Sequence, residues 1–89
     1  MEARYDLIPK AAIEQVAQAF AFGAAKHAAD DFTKADSGRG VEGELNAALR
    51  HIMRHDAGDL ADHETGLHPL AHAAARCLIA LELALNKGE

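Results

Sequence analysis

Eighty-nine residues, 49% of them hydrophobic but only 4% aromatic, suffice for one small domain and leave it short of large core-filling side chains. A formal charge of −5, from 14 acidic and 9 basic residues, excludes a general affinity for a nucleic-acid polymer, which needs clustered Lys and Arg; it suits a chain that recruits divalent cations. No apolar run reaches membrane-spanning length and MEARYDLIP lacks the apolar stretch of a signal peptide, so no membrane association and a cytoplasmic location are expected.

β-branched residues are sparse and nothing alternates with period two, which predicts an all-α fold of three helices. The first helix is expected from Pro9, whose fixed φ suits a first turn, to His27 or Ala28. Ile13, Val16, Ala17, Phe20, Gly23, Ala24 and His27 form its apolar stripe. The polar stretch from Ala29 to Gly40 reads as a loop. Its one large apolar residue, Phe32, either pins the loop to the core or stacks on a ligand base.

A second helix is predicted over Val41–Asp56, packing through Leu45, Ala48, Leu49, Ile52 and Met53. At 100° per residue, Glu44, His51 and His55 lie within about 40° of one another, beside that face. An acidic turn follows, in which Asp62 and Glu64 either ligate a metal or cap the third helix, and Pro69 opens that helix, which runs to about Asn86. On it Leu70, Ala74, Cys77, Leu78, Leu81 and Leu85 make one apolar face, with Cys77 expected to be a small buried hydrophobe. Ile79 and Leu83 lie nearly opposite, beside His68, His72 and Arg76. A helix apolar on two sides, in so small an Ala-rich chain, predicts a homo-oligomer, dimer or tetramer, that completes the bundle.

Five of the six histidines fall between His51 and His72, interleaved with Asp56, Asp59, Asp62 and Glu64. Imidazole and carboxylate bind divalent metals and move protons near neutral pH, so this stretch is the candidate site. His51 with His55, and His68 with His72, are i,i+4 pairs on single helix faces. Neither pair has the Glu directly after the first His that a helical metalloprotease requires. The His55-Asp56 doublet stands without the further ligand-bearing helices that a His-Asp phosphohydrolase uses. The acidic side chains of the turn are hard oxygen ligands suited to Mg²⁺ or Mn²⁺.

Four stretches carry a family resemblance: Arg4-Tyr5-Asp6-Leu7-Ile8-Pro9, Phe22-Gly23-Ala24-Ala25-Lys26-His27, Ala48-Leu49-Arg50-His51, and Glu64-Thr65-Gly66-Leu67-His68-Pro69-Leu70-Ala71-His72-Ala73-Ala74. Together they resemble the small phage and bacterial family of dATP/dGTP diphosphohydrolase N-terminal domains. Ala25 and His27 stand where that family carries a lysine and a tyrosine, and Phe32 where it carries a loop tryptophan. The resemblance implies a MazG-like, oligomeric, all-α pyrophosphohydrolase that cleaves purine deoxynucleoside triphosphates to the monophosphate and pyrophosphate with Mg²⁺ or Mn²⁺, in the host cytoplasm if phage-encoded.

The paired acidic motifs of the MazG group are missing here, so any metal ligands must combine histidine with carboxylate. The best-matched motif makes Glu64 and His72 the leading metal-site residues, with Asp62 and His68 beside them, and His51, Glu64 and His72 the catalytic candidates. Lys26, Arg50 and Arg4 are the candidates for phosphate, and Phe32 for the base. Two other readings stand beside this one: a non-catalytic oligomeric nucleotide-binding or interaction module, and a His-rich Zn²⁺ or Ni²⁺ protein.

Overall fold

The computed structural model describes residues 1–26 and 40–87. A short 3₁₀ turn, Tyr5–Leu7, precedes α1 (Lys10–Lys26), α2 (Gly40–Asp56) and α3 (Pro69–Lys87). Among the described residues there is no strand, as the sequence predicts, and no helix is long and apolar enough to cross a membrane. His27 and Phe32 lie outside the described residues.

Helix ends follow local chemistry. α2 stops in a Schellman arrangement: Gly58 at φ 102° lets its own N–H reach the His55 carbonyl at 3.0 Å and the Asp59 N–H reach that of Arg54 at 3.1 Å. α3 starts with Pro69 in its first turn, where a missing N–H costs nothing. Its cap differs from expectation. Neither Asp62 nor Glu64 supplies it; His68 Nδ1 accepts the Leu70 N–H at 3.0 Å, because His68 directly precedes the helix and its ring folds back over the first turn.

α3 is the central helix, packed chiefly on α2 and also on α1. Val16 and Ala19 of α1 form one core cluster with Leu67, Ala71 and Ala75, and Phe20 and Ala74 pack against it. On the α2 side the buried residues are Glu44, Ala47 and Ala48, with Ile79, Ala80 and Leu83 of α3. The expected packing side of α2 is thus corrected: Leu45, Leu49 and Met53 are exposed, and the stripe next to them is buried. The face of α3 through Leu70, Leu78, Leu81 and Leu85 is likewise exposed, and so is Cys77. The reason is size. Alanines at the contact let two helix axes approach closely, whereas leucines there would hold them apart.

Candidate functional site

The antiparallel α2–α3 hairpin brings the histidines together in cross-helix pairs. His51 stacks on His72 with ring centroids 5.1 Å apart and planes 24° apart, and His55 lies against His68 at 5.2 Å and 45°. Each step of four residues along α2 is matched by four in the opposite sense along α3, so i,i+4 spacing on both helices produces the two layers.

The turn before α3 fixes one end of this cluster. The Asp62 N–H donates to the Leu67 carbonyl and the Gly66 N–H to the Asp62 carbonyl, each at 2.7 Å, with Gly66 at φ 77° closing the loop. Asp62 Oδ2 accepts the backbone N–H groups of Glu64 and Thr65 at 3.0 Å and the Thr65 hydroxyl at 3.2 Å. Thr65 Oγ1 lies 2.7 Å from His72 Nε2, which is itself 4.0 Å from Asp62 Oδ2. One hydroxyl proton cannot serve both neighbours. With Thr65 donating to the carboxylate, His72 donates Nε2–H to Thr65, giving a chain from imidazole through hydroxyl to carboxylate. Thr65 is a site residue that sequence reasoning missed; its signal was the Asp-x-x-Thr spacing of an Asx-type turn.

Two groups in the cluster are electrostatically tuned. Desolvation, then the charges of His72, Arg76 and Arg54, push the His51 pKa below 6.5, against an upward pull from Asp62. Burial of Asp62 acts upward, but the amides of Thr65 and Glu64, His72 and the Thr65 hydroxyl outweigh it and hold its pKa below 3.8. A histidine with a depressed folded pKa binds fewer protons folded than unfolded, so its contribution is intact above 6.5 and is lost as pH falls below that value. Thermal melts at pH 7.5 and 5.5 should therefore show a lower Tm at pH 5.5, and a smaller drop in His51→Gln. An equal drop in both would remove His51 as the cause.

The other predicted residues lie in varied places. Lys26 Nζ donates to Glu64 Oε2 at 3.1 Å, a pair with both side chains more than half exposed. Arg4 makes a bidentate pair with Asp6, at 2.9 and 2.7 Å, in the exposed N-terminal segment. Arg50 is exposed on α2. Asp62, His51 and His72 are together; Glu64 and Lys26 are engaged with each other at the surface.

Among the described residues, no three His, Cys, Asp or Glu side chains form a set that could hold a metal ion. The individual contacts explain this. His68 Nδ1 accepts the helix-capping N–H, which places the proton of the neutral ring on Nε2, and Asp62 Oδ2 already accepts three donors. The donor groups of the described residues therefore do not fit a resident Mg²⁺ or Mn²⁺ cage.

Taken together, the fold and the cluster define a small helical domain whose central hairpin holds paired imidazoles beside arginine side chains. The family described as dATP/dGTP diphosphohydrolase, N-terminal, matches residues 1–89, and the chain belongs to that family. No curated protein and no solved structure gives a match.

Proposed function

We propose that this chain binds a purine deoxynucleoside triphosphate, dATP or dGTP, as its Mg²⁺ or Mn²⁺ complex beside the paired histidines of α2 and α3, and hydrolyses it to the monophosphate and pyrophosphate. The observation that supports this most is the stacked His51–His72 pair backed by Thr65 and Asp62. His51, biased toward its neutral form, is the group that takes a proton from the attacking water. The water oxygen bonds to a phosphorus of the α–β anhydride, the bridging P–O bond breaks, and pyrophosphate leaves with the negative charge. His72 holds His51 in place through the ring stack, and Asp62 and Thr65 hold His72. Such chemistry serves a cytoplasmic nucleotide pool, the host's if the gene is a phage's, and the working unit is a homo-oligomer.

A second reading, a non-catalytic nucleotide-binding or interaction module, is favoured by the lack of a converging carboxylate set among the described residues. Pyrophosphate release separates the two. With dATP or dGTP and either Mg²⁺ or Mn²⁺, the wild type should release pyrophosphate, chelator should stop it, and His72→Ala should lower the rate by about 100-fold or more. A folded wild type that releases none from any deoxynucleoside triphosphate sinks the hydrolase reading and leaves the module.

A further inference from the structure

Glu44 is only 1% exposed, in a domain with few large side chains to spare for its core. Its Oε1 accepts Nη1–H of Arg76 at 3.1 Å, and the Arg76 side chain remains 30% exposed. Desolvating a carboxylate is expensive, and an apolar pair of the same volume usually stabilises as well or better. What such a pair does provide is a guanidinium anchored in place through Nη1. A guanidinium has five N–H donors in a rigid fork, suited to the paired oxygens of a phosphate.

The place of this arginine points to an anion. Arg76 lies one helical turn beyond His72 on α3, and both Arg76 and Arg54 are near enough to His51 for their charges to disfavour its protonation. Arg54 is exposed, and among the described residues it forms no ion pair. A chain of net charge −5 thus gathers cations beside the imidazole pair, while its other described arginine–carboxylate pair, Arg4–Asp6, is local and fully at the surface.

We propose that Arg76, held by Glu44, binds a phosphate group of a polyphosphate ligand beside the His51–His72 pair, with Arg54 as the second cation. This rests on the proposed nucleotide reading and assigns the triphosphate to residues outside the sequence-derived candidates. Arg76→Lys keeps the charge and the Glu44 partner but replaces the fork with a point charge.

The test is calorimetric binding of tripolyphosphate and of dATP, with and without Mg²⁺, to the wild type and to Arg76→Lys, whose fold is checked by circular dichroism. The expected result is binding of both probes by the wild type and a loss of about 10-fold or more in Arg76→Lys. Butanedione labelling of the wild type, mapped by mass spectrometry, gives the same answer without a variant: tripolyphosphate should protect Arg76 and Arg54 and leave Arg4 reactive. Undiminished binding by folded Arg76→Lys, equal labelling of Arg76 with and without tripolyphosphate, or no tripolyphosphate binding by the wild type overturns the proposal. Arg76-dependent tripolyphosphate binding without turnover of any nucleotide supports this site and sinks only the hydrolase reading. Turnover of dATP with kcat and KM unchanged in Arg76→Lys does the reverse.

Discussion

Arg76→Ala should lower the Tm by about 20 °C, whereas Glu44→Ala should weaken the domain only moderately. The asymmetry follows from burial. Removing the arginine takes its ion-pair partner at 3.1 Å from a carboxylate that is 1% exposed, at a cost of about 4 kcal/mol, a large share of the stability of a domain this small. Removing the glutamate strands a guanidinium that is already 30% exposed and can turn to water, so about 2 kcal/mol is expected, roughly 10 °C in Tm for a chain of this length. Replacing both, Glu44→Leu with Arg76→Leu, should restore a Tm near or above that of the wild type, because the desolvation cost disappears with the charges. Thermal unfolding followed by circular dichroism checks all three. If Arg76→Ala and Glu44→Ala fall by the same amount, buried carboxylate desolvation is not the controlling cost.

That ion pair also marks where the sequence stopped being informative. The three helices were legible because their starts and stops are chemical: Pro9 just before α1, Pro69 in the first turn of α3, Gly58 after the second helix, Gly66 in the turn. The histidine cluster was legible too, since two i,i+4 pairs on helices joined by a short turn meet once the hairpin closes. The contact faces were misread because hydropathy ranks Leu45, Leu49 and Met53 above Ala47 and Glu44, while packing of helix on helix selects small residues at the crossing. Glu44 looked like a polar flank; it is buried with an ion pair to Arg76, 32 positions away, which no local pattern encodes. Thr65 and the capping role of His68 depend on side-chain directions within one turn, and spacing alone does not fix those.

The misread faces lead to the other large expected effect. In solution the chain should sediment at twice its 9.5 kDa mass or more at micromolar concentration, and Leu81→Glu with Leu85→Glu should reduce that mass and lower the Tm. Leu70, Leu78, Leu81 and Leu85 recur along one side of α3, with Leu85 64% exposed, and Leu45, Leu49 and Met53 run along α2, with Met53 68% exposed. Phe20 joins Leu78, Leu81, Glu82, Leu85 and Asn86 in lining a groove of about 430 Å³ beside the C-terminal half of α3, away from the histidines. A half-exposed leucine regains about 1 kcal/mol when covered, so one stripe from each of two copies roughly offsets the lower estimates for the entropy of association, and two stripes exceed them. The occupant expected on these stripes is a second copy, since each copy brings the same apolar surface and an isologous contact buries it twice. Leu49→Glu with Met53→Glu distinguishes the assemblies. If both faces are interfaces, the wild type is a tetramer and either double variant stops at a dimer; if only the α3 face is used, the α2 variant keeps the wild-type mass. A wild type that stays at 9.5 kDa across the micromolar range would show that these leucines face water, and the proposed oligomeric working unit would fall with that result.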